Sequence, residues 1–332
     1  MRVSDFGRFA LSTCAAVALL AGCGGSQPPI GALGSMPQTS TIATHAQRGK
    51  SWMLPEAKSE DLLYSSDYTA NVVFVYSYPK AKAVGVLTGF SAPLGECVDK
   101  TGDVWIVNAG TANVVEYAHG GTAPIAALSD PGVAPLGCSI DPTSGNLALA
   151  DEGGHVFIYT GGHGVPMSYS DPDISSFLYC TYDDAGNLFA DGDRAGNLVA
   201  ELPKGGSALT NITLNEALVQ GSMQWDGQNL AMADLSGEKA KSGPTRIRRV
   251  RISGTTGTIV GTTLLESKKN RRVVFAVQYW IQGHTIIGPS QQNKYPRIVT
   301  MWRYPQGGKA TVTLRAQKAI LLWGNTVSLA PH

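Results

Sequence analysis

The sequence predicts an all-β chain folded as a six-bladed β-propeller, with the first blade completed by both chain ends. Three observations carry this expectation. The apolar runs are short, rich in Val, Ile, Leu and Tyr, and separated by Gly, Asp, Asn and Pro clusters, as strands joined by tight turns require. A self-similar unit returns about every 42 residues, a period typical of propeller blades. Finally, the segment Gly324 to Ser328 copies the first inner strand of the repeat, yet its expected partner lies at the other end of the chain.

The first 22 residues read as a signal peptide. Arg2 and Arg8 precede an uncharged, mostly apolar run from Phe9 to Leu20 that is too short to span a bilayer. Leu20-Ala21-Gly22-Cys23 follows and resembles the lipobox of bacterial lipoproteins. That resemblance implies export, cleavage before Cys23 and acylation of Cys23, leaving the chain lipid-anchored in the cell envelope; joined acyl chains hold where a single one is marginal. Residues 23–50 are rich in Gly, Ser, Pro, Thr and Gln without a helical or strand period, and form a flexible tether. The folded domain spans 51–332.

The repeat begins with DLLYSSDYTANVVFVYSYPKAKAVGVLTGFSAPLGECVDKTGD at 61–103, and its order of strands and turns recurs from Val104, Leu147, Leu188, Leu230 and Thr285. The inner strands are 95–99, 137–141, 179–183, 222–226, a segment near Val274 to Tyr279, and 324–328. Gly324 aligns with Gly95 and Val327 with Val98, so 324–328 should pair with 61–67 and close the ring without a free sheet edge. The pattern GN-L-x-x-A-D followed by V-x-x-Y, at 145–159 and 186–202, is similar to NHL-repeat and SMP-30-type six-bladed propellers. The resemblance implies architecture, since such propellers serve as binding proteins, hydrolases and lyases alike.

The second strands end in Asp67, Asn108, Asp151, Asp191 and Asp234, which the repeat gathers into a ring on the face of the between-blade loops. Two readings fit these residues. They form an oxygen-rich site for a ligand or a divalent cation such as calcium, or each accepts backbone hydrogen bonds in the turn it begins. Charge is uneven along the chain: residues 61–237 hold 20 acidic and 5 basic residues, and 238–332 hold 2 acidic and 16 basic. Lys239, Lys241, Lys268, Lys269, Arg271 and Arg272 fall in two long loops of that face and would make a basic rim. The rim fits an anionic ligand, an acidic glycan or an envelope protein, or serves as a solvated edge. RIRRVR at 246–251 sits on a strand, so Arg246 and Arg248 oppose Arg249 and Arg251, and nucleic acid is not an expected partner. The membrane is reached through the lipid anchor only.

Cys97, Cys138 and Cys180 lie on inner strands, with Cys97 one residue out of step, which reverses its face. Either Cys97 and Cys138 bridge neighbouring blades and Cys180 stays a free buried thiol, or all three are packed thiols. His119 and His163 fall in Gly-rich turns and read as exposed turn residues. The sequence holds no GxSxG, HExxH or GxxxxGK[ST] motif. The expected function is therefore a binding or protein-interaction module without assigned catalytic residues or a required cofactor. The alternative implied by the resemblance is a metal-dependent lactonase, with Glu96, Asn108 and Asp151 imitating part of a metal set. Cys138, Cys180, Met223 and Asn325 at the positions matching Glu96 depart from such a set.

Overall fold

The computed structural model describes residues 49–192, 196–236, 245–266, 278–291, 296–315 and 319–331. Cys23, the signal segment and residues 23–48 of the tether lie outside the described residues. So do Lys239, Lys241, Lys268, Lys269, Arg271 and Arg272 of the expected basic rim. Strands and turns make up nearly all of what is described. Among the described residues no helix is long and apolar enough to cross a membrane.

The first sheet has the order Trp52–Met53, Ala83–Thr88, Val72–Ser77, Leu62–Asp67, Leu322–Ser328. Its last strand comes from the C-terminus and runs antiparallel to Leu62–Asp67, with Leu63 opposite Val327 and Tyr64 opposite Thr326. The chain ends therefore meet in one sheet. Leu63, Leu322 and Val327 are buried with Ile287 and Val299, which ties this junction to the preceding sheet through an apolar interface. His119 strengthens the junction from outside: Nδ1 lies 2.6 Å from Ser328 Oγ and Nε2 faces the Glu60 carbonyl at 3.1 Å. It is a half-buried latch between the segment before the first strand, the second sheet and the C-terminal strand, not the exposed turn residue the sequence suggests. His163, by contrast, is exposed.

The second sheet runs Pro93–Val98, Val104–Asn108, Asn113–Tyr117, Pro124–Ser129, and the third Pro135–Ile140, Leu147–Asp151, His155–Tyr159, Met167–Tyr169. The last sheet is Trp280–Gln282, Thr285–Gln291, Pro296–Arg303, Val312–Arg315. Between the third and last lies one nine-stranded sheet. It contains Phe177–Tyr182, Leu188–Gly192, Leu198–Leu202 and Thr210–Leu214, then Gln220–Trp225, Leu230–Asp234, Thr245–Ser253 and Thr256–Glu266, with Gly308–Lys309 beside the last. The two antiparallel runs join because their outer strands pair in parallel, Thr213 opposite Thr256 and Leu214 opposite Gly257. The repeat did not foretell this merger. It follows from the extra length of the fifth unit, whose outer strand reaches eleven residues.

Sheets face one another across apolar layers, as period-2 alternation on both faces dictates. Tyr64, Val73 and Val75 of the first sheet meet Val104, Ile106 and Tyr117 of the second, and Trp105 and Val107 meet Leu147 and Leu149 of the third. The strands Leu322–Ser328, Pro93–Val98, Pro135–Ile140, Phe177–Tyr182, Gln220–Trp225 and Trp280–Gln282 lie nearest the axis, giving a propeller arrangement. Glycine sets how closely these inner strands approach. A Cβ on Gly95 would stand 2.5 Å from the Leu136 carbonyl oxygen, and Gly324 and Gly137 face the next strands in the same way.

Candidate functional site

The loops between sheets and the turns after the second strands share one face, here called upper. On it the expected acidic ring is occupied with the backbone. Asp67 accepts from the Thr69 and Ala70 amides of its own turn at 3.1 and 2.8 Å, and from Ile320 and Leu321 of the arriving loop at 2.6 and 3.1 Å. Asp151 accepts from Val133, Ala134 and Gly153. Asn108 accepts from the Ser91 amide at 2.6 Å and donates to Thr111. Asp234 accepts from the Ser236 amide and from Arg248 Nε at 3.0 Å each. Burial works to raise its pKa, but the Ser236 and Arg248 bonds outweigh that and hold it below the usual carboxylate range. A β-bulge recurs between the inner and second strands at each of these positions, and at Asp67, Asn108 and Asp151 the side chain reaches the arriving loop. Asp67, Asn108 and Asp151 thus staple one sheet's turn to the loop from the sheet before, while Asp234 ties its own turn to the neighbouring strand through Arg248.

Asp191 does not belong to this set. Leu147 opposes Ile140 and Leu188 opposes Tyr182, so the equivalent of Asp151 is Gly192, and Asp191 matches Ala150. One residue of displacement turns a side chain to the other face of its sheet. Asp191 accordingly points away from the loops, is fully buried, and neither carboxylate oxygen has a hydrogen-bond partner. Burial pushes its pKa well above the carboxylate range, with the nearby Tyr179 amide opposing only part of the shift.

Glu96, Asn108 and Asp151, the sequence candidates for a metal set, share no hydrogen-bond partner and sit in different surroundings. Glu96 pairs with Ile106 in the layer between the first and second sheets, fully buried, and neither oxygen completes a hydrogen bond. Burial raises its pKa well above the ordinary range, and the Thr326 and Ser66 amides close by offset only part of this. The axis beside it is crossed by Gln278. Its side-chain amide pairs with the backbone of residue 96 in both directions, Nε2 donating to the carbonyl and Oε1 accepting from the amide, each at 2.5 Å.

Further staples join the inner strands, which have no ladder between sheets. Tyr182 N–H donates to Ser139 Oγ, Trp225 N–H to Thr181 Oγ1 and Ile281 N–H to Gln224 Oε1, at 3.0, 3.2 and 2.6 Å. Cys97 stands where Ser139 stands one sheet later, and makes the same link covalently: it is bonded to Cys138, Cα–Cα 5.7 Å. Cys180 is free and buried, with burial pushing its thiol pKa well up. Sequence reasoning found the cysteines and missed the polar staples, because single Ser, Thr and Gln residues carry no motif.

The concave surface lies on the opposite, lower face. Around the axis the inner strands end in a funnel of about 150 Å³ lined by Tyr182, Trp225, Trp280 and the Cys97–Cys138 bridge, among others. A groove of about 650 Å³ continues outward between the second and third sheets, with Trp105, Glu116, Asp141, His163 and Trp280 on its walls. One carboxylate oxygen from each of Asp99, Asp103 and Glu116 lies within 4.8 Å of the other two at its edge. On the basic strand, Arg248 is turned to Asp234 and Glu216, while Arg249 lies over Gly261 on the other side.

No protein-family model matches the chain, and no curated protein matches it. Solved structures do. A chain of a nidogen/laminin complex aligns with a TM-score of 0.61 at 13% identity over 82% of this chain and 100% of its own. A Bacteroides caccae protein of unknown function gives 0.61 at 13% over 81% and 99%. The β-propeller domain of Myceliophteria thermophila Cps50 (Swd1) gives 0.54 at 10% over 80% and 86%. At these identities the likeness establishes the β-propeller fold and nothing further.

Proposed function

We propose that this chain is a six-bladed propeller acting as a binding and protein-interaction module at the cell envelope, with the lower face as its working surface. The observation that carries the reading is the aromatic-walled concavity, in which Trp105, Tyr182, Trp225 and Trp280 line a funnel and a groove that run into one another. Rigid aromatic side chains in such hollows contribute much of the free energy of protein interfaces. The strand ladders and the inner-ring staples hold them in place before a partner arrives. The count of six rests on dividing the nine-stranded sheet at its parallel pair, which leaves two antiparallel blades of the same design as the others.

Export and acylation at Cys23 belong to the same proposal and rest on the sequence. They would present the propeller on a tether whose root-mean-square reach is about 30 Å. The partner is an envelope protein; a glycan or other anionic ligand fits the basic rim of Lys239, Lys241, Lys268, Lys269, Arg271 and Arg272. The membrane is engaged by the anchor alone, and nucleic acid has no part. A photoreactive residue at His163 or Lys100, both exposed on the lower face, should give a discrete crosslinked partner in intact cells, whereas one at Val133 or Ile320 on the upper face should not. Equal crosslinking from both faces, or none from either, would overturn the reading.

A further inference from the structure

The lower-face groove has a chemistry that narrows its occupant. Register places Cys97, Trp105, Glu116 and Ala126 in one row across the second sheet, from the axis to the outer edge, all turned to the third sheet. Trp105 is 3% exposed and packs on Leu147 and Leu149 of the third sheet. Gly162, at φ +75°, lays its backbone beside the indole, where an added Cβ would stand 3.2 Å from the ring. Ala126 and Gly162 together leave room between the sheets, and the half-buried Trp280 forms the aromatic wall of the groove, whose size lies within the roughly 300–1,000 Å³ of ligand sites.

Its polar edge is negative. Asp99 already accepts from Thr101 and Asp103, and Asp103 from the His119 amide. Asp141 is taken up by Thr143 and Ser144 of its own turn. Glu116 is different: it is half-buried and makes no hydrogen bond or ion pair among the described residues. Burial, then the charges of Asp103 and Asp99, push its pKa up to about 7. The other titratable groups on the groove are Lys100 and His163, both exposed. A cation brought against Glu116 would relieve this repulsion.

We propose that the groove binds the lysine or arginine side chain of an extended basic segment on a partner protein, its aliphatic stem along Trp280 and its charged end against Glu116 and Asp99. The inference rests on the reading of the lower face as a protein-interaction surface and gives that surface its specificity. An inorganic cation would leave most of the cavity and the indole unused. A stem ending in ammonium or guanidinium uses both, since such groups lie along apolar rings and are attracted by their faces.

The test is calorimetric titration of the full-length chain in detergent micelles with an acetylated, amidated tetralysine peptide, in two buffers of different ionisation enthalpy near neutral pH. Saturable binding is expected, weaker at high salt, with protons released as Glu116 ionises. Glu116→Gln should weaken binding about tenfold and abolish the proton release, and Trp280→Ala should weaken it with the proton release kept. Absence of saturable binding, affinity unchanged in both variants, saturation by calcium alone, or a free polyamine binding as tightly as the peptide would each overturn the proposal. If tetralysine fails while lower-face crosslinks to a partner persist, only this inference falls. If the crosslinks are also absent, the interaction reading falls with it.

Discussion

Replacing Asp67 by alanine separates a structural ring of acids from a ligand-binding one. Its carboxylate receives four backbone amides, from Thr69 and Ala70 in its own turn and from Ile320 and Leu321 in the loop that leads into the C-terminal strand. Hydrogen bonds to a charged acceptor contribute about 1.5–3 kcal/mol each. The four share two oxygens, and Ile320 and Thr69 are exposed enough for water to replace part of the loss. The expected destabilisation is therefore about 3–4 kcal/mol rather than the full sum. Urea unfolding followed by tryptophan fluorescence reads it as a lower midpoint at unchanged slope. Asp191→Ala, one residue out of register and without partners, should leave the midpoint unchanged or raise it. An Asp67→Ala chain as stable as the parent would refute the assignment, because side chains kept for a ligand are expected to cost stability rather than supply it.

Reducing the Cys97–Cys138 bridge, which closes a separation of 41 residues, should lower stability by about 4 kcal/mol on the loop-entropy relation. Alkylation of the unreduced, denatured domain from residue 49 onward should label one thiol, that of Cys180, and three labelled thiols would remove the bridge. Glu96 and Asp191 hold raised pKa values in the folded ring, so above about pH 4 the unfolded chain binds fewer protons and stability falls as pH rises. Glu96→Gln and Asp191→Asn should each flatten that fall in pH-dependent urea titrations. His119 has the opposite sense: burial lowers its pKa, so stability is present at higher pH and declines as pH drops through about 6.5, a decline that His119→Gln should remove.

Ring closure is legible because the chain ends carry two halves of one blade: GNTVS at 324–328 copies GECVD at 95–99 in register, and a strand so displaced has only one vacant edge to fill. The interval from Asp151 to Asp191, 40 residues where those on either side are 43, also marks Asp191 as displaced. Residue type alone places it in the ring; register takes it out. Other features leave no such trace. The amide of Gln278 pairing with the backbone of Glu96 joins residues 182 apart in sequence, and a lone glutamine carries no signal of that contact. The groove depends on Gly162 and Ala126 being small where two sheets diverge, a property of packing between units rather than of any one unit. The sequence points to the upper face because Asp, Asn and Lys cluster there, whereas the hollows open below, where hairpin turns held by Asp99, Asp141 and Asp183 frame Trp105, Trp225 and Trp280.

Hydrogen–deuterium exchange of the full-length chain, with and without the tetralysine peptide, tests the central claim most directly. Protection confined to the strands and turns over 98–117 and 140–163 is the predicted result, with the amides of Leu322–Ser328 exchanging as slowly as those of Leu62–Asp67 in both states. Protection centred on the upper loops at 67–71, 91–93 and 132–135, or rapid exchange of the C-terminal strand, would contradict the account.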